Sequence, residues 1–429
     1  MITPDRPAVL TDVALPDGRR ADLVLSGGRI EAVRPARPAD RPTDRPTDRL
    51  TDRLTDPATG AGEHRIDLRE HRIDLGGALV LPALVDGHAH LDKTYLGAPW
   101  QPHLPGGTIR QRVDAERAQR RECGVPVAER ASALLRQMAG HGTGHARTHV
   151  DIDPGTGLTG LHALLEVRER HRDLMSLQIV AFPQGGVVGA PGVPALLDAA
   201  LREGADLIGG LDPAGLDGDP DGQLDIVFGL AERHGCGVDL HLHDPAEQGA
   251  AQLRSIAART TALGLAGRVT VSHAYCLGEL DAPRFAQTAQ ALAAAGVSIL
   301  TNGPAGPMPP VLALREYGVR VFAGSDNVRD AWWPYGTGDM LERATIIGLR
   351  SELMTDEELA VAASLVTTEA AAVLGLAGYG LAPGDRADLV VVAAGSVAEA
   401  VAAHPRRLLV LHGGRTVTAD PLLASPRAD

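Results

Sequence analysis

Aromatic residues are scarce in this chain. Only 3% of its 429 residues are Phe, Tyr or Trp, while 44% are apolar, so a core must be assembled mainly from Ala, Leu and Val. Cysteine is scarce too: Cys123, Cys236 and Cys276 are the three. None falls in a CxxC spacing, which argues against a disulfide framework and against a cysteine-rich zinc site. Cys236 and Cys276, which flank the fifth and sixth strands, read as small buried hydrophobes. Positive charge is in deficit, with 41 Lys and Arg against 54 Asp and Glu and a net charge of −13. A nucleic-acid or anionic-membrane partner would need a basic face, so neither is expected. No stretch of about 18 apolar residues marks a membrane span, and Met1–Pro7 lacks the apolar centre of a secretory signal. The expected setting is soluble and cytoplasmic.

What the chain does contain is periodic. Residues 8–35 read as short strands, with Ala21–Leu25 and Arg29–Val33 flanking a Gly27-Gly28 turn as a hairpin would. Residues 36–75 carry tandem copies instead. Asp-Arg-Pro-Thr and Asp-Arg-Leu-Thr units run from Asp40 to Thr55, and Glu63–Leu68 recurs as Glu70–Leu75. Such a Pro-rich, charged block cannot bury much apolar surface and is expected to be a surface loop; its pair His64 and His71 is read as a by-product of copying. From residue 78, eight apolar runs alternate with helix-like segments: Ala78–Asp86, His145–Asp151, Leu177–Pro183, Leu207–Leu211, Gly237–His243, Val269–Ala274, Ser298–Asn302 and Arg320–Asp326. That count and spacing predict a (β/α)8 TIM-like barrel over residues 78–380. The alternative, a doubly wound sheet, lacks its GxGxxG turn. Strands return at Ala387–Val392, Leu408–Leu411 and Arg415–Val417. The expectation is therefore a small composite β-sandwich built from both termini, residues 1–77 and 381–429.

In such a barrel the C-terminal ends of the strands carry function. Here they read His88-Ala-His90, Arg147-Thr-His149-Val-Asp151, Phe182-Pro-Gln184, His241-Leu-His243-Asp244, Ser272-His273 and Ser325-Asp326. His88 and His90, two apart on one strand, point to the same face. With His241 and Asp326 they can complete one mixed nitrogen and oxygen site for Zn²⁺ or Fe²⁺. An ion held there lowers the pKa of its bound water from about 16 towards 7, and the resulting hydroxide would attack a ring C–N carbon. A base must carry the proton to the leaving nitrogen; His243 and Asp244 are both placed to do so, with His273 beside the attacked atom. Two metals would call for a bridging Lys on the fourth strand. That strand reads Asp206–Asp212 without one, so a single divalent ion is expected.

These stretches resemble the amidohydrolase superfamily and, within it, the cytosine deaminase group. The motifs are Val85-Asp-Gly-His-Ala-His-Leu-Asp-Lys-Thr94, Arg147–Asp151, Leu177–Gln184, Val269–His273, Gly324–Val328 followed by Trp332, and Gly384–Val391. The resemblance implies metal ligands at His88, His90, His241 and Asp326 and a role beside the metal for His273. It also implies that Gln184 reads a pyrimidine-like amide edge and that Trp332 walls the ring. The departures matter. Cytosine deaminases carry a Glu where Asp244 stands, an acidic residue where Asn327 stands, and no Lys at position 93. The His-x-His of the fifth strand together with Lys93 is similar instead to the N-isopropylammelide amidohydrolase branch, in which His243 rather than Asp244 would move the proton.

The expectation is thus a hydrolase of carbon–nitrogen bonds other than peptide bonds, deaminating a small heterocycle such as a pyrimidine or triazine with release of ammonia or an amine. Lys93, Gln184, Asn327 and Trp332 are its substrate-side candidates. A ring-opening amidohydrolase and a non-catalytic metal-binding barrel are the rival readings. Family members are often oligomers, but no interface is legible in the sequence.

Overall fold

The computed structural model describes residues 1–36, 71–103 and 107–420, except the side chain of Arg121. Eight strands form a parallel sheet: β6 (Leu84–Ala89), β7 (Thr143–Asp151), β8 (Ser176–Phe182), β9 (Leu207–Leu211), β10 (Gly237–Leu242), β11 (Val269–His273), β12 (Ser298–Thr301) and β13 (Val321–Ala323). They are neighbours in chain order, as right-handed β–helix–β units require. Every intervening segment carries a helix.

The seam between β13 and β6 closes the barrel through the backbone of Asp326. Asp326 N donates to His88 O at 2.7 Å, and His90 N donates to Asp326 O at 3.2 Å. Glycine makes this approach feasible. A Cβ on Gly324 would lie 2.6 Å from the His88 backbone, and one on Gly87 would lie 2.4 Å from the Phe322 ring. The seam therefore presses two metal-ligand candidates, His88 and Asp326, against each other by main-chain bonds alone.

The termini build a second sheet, ordered β16-β15-β14-β5-β1-β2-β3, with β4 paired to β1. Its strands are β1 (Ala8–Ala14), β2 (Arg20–Ser26), β3 (Arg29–Pro35), β4 (Arg72–Asp74), β5 (Leu79–Pro82), β14 (Leu389–Val392), β15 (Arg407–His412) and β16 (Arg415–Ala419). This sheet has its own apolar cluster, centred on Leu10, Leu23, Ile30, Val80, Leu389 and Val391. The hairpin about Gly27-Gly28 is present as β2–β3.

Two boundaries differ from the sequence reading. The run Ala78–Asp86 is not one barrel strand. Its first half, Leu79–Pro82, pairs antiparallel with β14 in the terminal sheet, and the barrel begins at Leu84. Both halves are apolar because both are buried, so hydropathy offers no break at Ala83. The expected loop also ends early: Arg72–Asp74 pairs parallel with Val9–Thr11. Residues 37–70, with His64 and most of the repeats, lie outside the described residues.

Candidate active site

The strand ends of β6, β10 and β11, with the seam after β13, bring imidazoles and a carboxylate to one point. His90 Nε2 lies 3.3 Å from His88 Nε2 and 3.2 Å from His241 Nε2. Asp326 Oδ1 is 3.5 Å from His88 Nε2 and 3.4 Å from His90 Nε2. The tautomer of His88 follows from its neighbours. Ser272 Oγ spends its only proton on Asp239 Oδ1, at 2.9 Å. His88 Nδ1, 2.9 Å from that same hydroxyl, must then be the donor. A neutral His88 therefore turns a bare Nε2 lone pair towards His90, His241 and the Asp326 carboxylate. Lone pairs facing one another and an anion fit a cation among them, and the outer chain from His88 Nδ1 through Ser272 to Asp239 is of the kind that orients metal-ligating histidines; Nδ1 of His90 and of His241 has no hydrogen-bond partner among the described residues.

The electrostatics agree. Burial, with Lys93 nearby, holds His90 well below the usual imidazole range. Burial and the surrounding imidazoles do the same to His241. Burial opposes the charge on Asp326, but His273, His88 and His90 around it hold it well below the usual carboxylate range. Neutral imidazoles beside an ionised carboxylate are the donor set for Zn²⁺ or Fe²⁺. Two overlapping groups have donor atoms within 4.8 Å of one another: His88, His90, His149 and His241, and His88, His241, His273 and Asp326. His149 forms the floor. Burial pushes it down to about 4, and its Nε2 lies 3.5 Å from Asp239 Oδ1.

Beside this cluster, His243 is fixed from behind. Its Nδ1 is 3.0 Å from Asp212 Oδ2, and its ring stacks on His273 with centroids 4.6 Å apart. Burial opposes charge on His243, yet Asp212 raises it above the usual imidazole range. Asp244 faces elsewhere: its Oδ2 accepts from Gln252 Nε2 at 2.7 Å and from Ala214 N at 3.3 Å. Backbone strain collects here. Asp212, His273 and Asp326 have φ of 39°, 73° and 60°, left-handed values that cost non-glycine residues energy and tend to gather at functional sites.

A charged wall completes the mouth. Lys93 Nζ is 3.4 Å from Glu116 Oε2 and 3.1 Å from Asp151 Oδ1, and it sits over the rings of Phe182 and Trp332 at 5.4 and 5.5 Å. Arg120 bridges Glu116 and Asp151. Gln184 Nε2 and Trp332 Nε1 both donate to Glu116 Oε2, at 2.6 and 2.5 Å. Burial, with Asp151 beside it, raises Asp92 to about 7. Burial opposes ionisation of Glu116, but Lys93 and Arg120 keep its carboxyl below the usual range.

Residues 72–418 match the model of the Amidohydrolase family. A curated relative, the N-isopropylammelide isopropyl amidohydrolase of Pseudomonas sp. (strain ADP), is 33% identical over 363 residues, 82% of this chain and 89% of that protein. The chain belongs to the amidohydrolase family. It is a hydrolase of carbon–nitrogen bonds. Among solved structures, the N-isopropylammelide isopropylaminohydrolase of Burkholderia multivorans superposes with a TM-score of 0.85 at 41% identity, covering 96% of this chain and 98% of that one. The 5-methylcytosine deaminase of Klebsiella pneumoniae, liganded with 5-fluorocytosine, gives 0.80 at 26%, covering 96% and 97%.

Within this amidohydrolase, His88, His90, His241, His273 and Asp326 meet at one point, with His243 adjoining them. Lys93, Gln184 and Trp332 meet one another at Glu116. Asn327 does not join that group; its Nδ2 donates to Asp330 Oδ2 at 2.6 Å. Sequence reasoning missed Glu116, Arg120 and Asp212. The signal for Asp212 was available, since it directly follows the fourth apolar run. Glu116 and Arg120 carry none, because they sit in a helix, Ile109–Glu122, that reads as solvated charge. Cys276 is buried and its thiol is pushed up to about 12, in keeping with a packing role. Among the described residues no helix is long and apolar enough to cross a membrane.

Proposed function

We propose that this amidohydrolase is a metal-dependent deaminase of a small amino-substituted N-heterocycle, a pyrimidine or triazine, releasing ammonia or an amine. The observation that carries the reading is the bare Nε2 of His88 converging with His90, His241 and Asp326 Oδ1 within 3.5 Å. His88, His90, His241 and Asp326 would hold one divalent ion, Zn²⁺ or Fe²⁺. When bound, such an ion makes water a nucleophile at neutral pH.

The chain's own groups supply the rest. Asp212 holds His243 Nδ1–H, so His243 Nε2 is the atom that takes the proton of the attacking water and returns it to the leaving nitrogen. Asp244, committed to Gln252 and Ala214, braces the loop after β9. His273, stacked on His243, polarises the attacked carbon's substituents. Lys93, Gln184 and Trp332 hold the ring, whereas Asn327 acts by bracing the loop that carries Trp332. Two of the relatives, an N-isopropylammelide isopropyl amidohydrolase and a 5-methylcytosine deaminase, are named for nitrogen heterocycles, which supports this substrate class.

The test is release of ammonia or amine from a panel of aminopyrimidines and aminotriazines by protein reconstituted with Zn²⁺ or Fe²⁺. Turnover that chelation abolishes supports the reading. Full activity in metal-free protein, or a new carboxylate in place of a released amine, overturns it.

A further inference from the structure

Helix Ile109–Glu122 interrupts the strand–helix alternation between β6 and β7. Its sequence, with five Arg and two Glu among fourteen residues, looks like a solvated surface. Yet Glu116 is only 3% exposed, because the helix lies over the barrel mouth. One oxygen, Oε2, gathers donors from three different strand ends: Gln184 Nε2, Trp332 Nε1 and Lys93 Nζ. The other oxygen accepts from Arg120.

An ionised carboxylate only accepts hydrogen bonds, whereas a carboxamide donates at one end and accepts at the other. A free glutamine side chain turns over by 180° and reads a ring edge in either order. Gln184 cannot, since a turn would set its Oε1 against the Glu116 oxygen. Its Nε2 is held at Glu116, and its Oε1 has no partner among the described residues.

We propose that Glu116 is a positioning residue for substrate specificity: it locks the Gln184 amide and the Trp332 indole in one orientation, so that the pocket takes heterocycles whose donor and acceptor run in one order, with a ring N–H meeting Gln184 Oε1. This rests on reading the site as that of a heterocycle hydrolase. A site that hydrogen-bonds its ligand in a fixed sense rejects the mismatched isomer far more strongly than one that merely encloses it.

Cytosine and isocytosine are suitable probes, because they carry the same groups with oxo and amino positions exchanged. In zinc-loaded wild type, stopped-flow quenching of tryptophan fluorescence, read before turnover, should separate their dissociation constants by about tenfold or more. Glu116→Gln, nearly isosteric, frees both amides to turn and should bring that ratio within about threefold, with zinc content unchanged. Glu116→Asp keeps Lys93 and Arg120 paired while withdrawing the oxygen by one methylene. It should narrow the ratio as well, and it serves if the glutamine variant does not fold.

A second readout needs no ligand. The chain has three tryptophans, hence three indole N–H resonances, with that of Trp332 assigned by Trp332→Phe. Glu116→Gln should move that resonance alone. A ratio that survives in folded Glu116→Gln or Glu116→Asp protein overturns the proposal, and so does an unmoved Trp332 resonance. If wild type binds neither isomer, the heterocycle reading fails, and the Trp332 resonance alone then decides whether Glu116 holds the wall.

Discussion

The barrel carries histidine and aspartate clusters at both ends, and they are built in opposite senses. At the C-terminal end, ring nitrogens face one another: His90 Nε2 is 3.3 Å from His88 Nε2 and 3.2 Å from His241 Nε2. At the other end, His145 Nε2 and His412 Nδ1 each face an oxygen of Asp388, at 3.4 and 3.3 Å, while Arg386 and Gly413 N donate to the same carboxylate. Burial opposes ionisation of Asp388, but His145 and these partners keep its carboxyl below the usual range. A cavity of about 190 Å³ lined in part by His145, Tyr379, Arg386 and Asp388 opens beside that second cluster. Residue type therefore does not distinguish a reactive centre from a clasp. Orientation does: unshared lone pairs aimed at one point call for a cation, whereas at the other end both rings flank one carboxylate that already accepts from Arg386 and Gly413 N and so ties barrel to terminal sheet. The bottom face of such barrels is where stability is expected and the top face where chemistry is.

The comparison breaks most sharply at Asp326. Asp326→Asn should remove bound metal, read by elemental analysis, and lower kcat by about 10⁴-fold, because both the ion and the charge around His88 and His90 are disturbed. His243→Gln should retain the metal yet lower kcat by about 10²–10³-fold, the usual loss for a proton carrier. Retention of metal separates the two variants, and a His243→Gln enzyme of wild-type rate would remove His243 from the reaction.

At the opposite end the expected change is one of stability. His412→Ala empties the space of a buried ring beside Asp388 and should cost about 1–3 kcal/mol, seen as a lower unfolding temperature. Its kcat per folded molecule should equal that of wild type. A fall in kcat with unchanged stability would mean that the two ends are not separable.

The two sides of the site differ in how far a sequence reveals them. The convergence of His88, His90, His241 and Asp326 was legible because each ends or closely follows an apolar run, and strand order brings run ends together whatever lies between them. His149 had the same signal, but spacing does not say that its ring forms the floor against Asp239. The Glu116 wall was not legible at all. Its partners Lys93, Gln184 and Trp332 are recognisable only through family motifs, and Glu116 itself sits among arginines that promise solvent. Only the placement of helix Ile109–Glu122 across the mouth turns that charge inward. The break at Ala83, where the chain leaves one sheet for the other, was hidden for the opposite reason: both of its sides are equally apolar.

The smallest expected effect is also the one that sharpens the top end most. Position 244 holds Asp where cytosine deaminases place their proton-carrying Glu, and shortening by a methylene does not by itself retire a carboxylate. Its partners do. Asp244 Oδ2 accepts from Gln252 Nε2 and Ala214 N, and Gly215 packs so close that a Cβ there would lie 2.3 Å from Asp244 Oδ1. Both bonds ask only for an acceptor, which the carbonyl of Asn supplies. Asp244→Asn should therefore keep kcat within about threefold and lose about 1 kcal/mol of stability. A carboxylate that moved the proton would instead cost at least about a hundredfold on the same change. Assayed beside His243→Gln on one substrate, this variant decides which of two adjacent residues carries the proton.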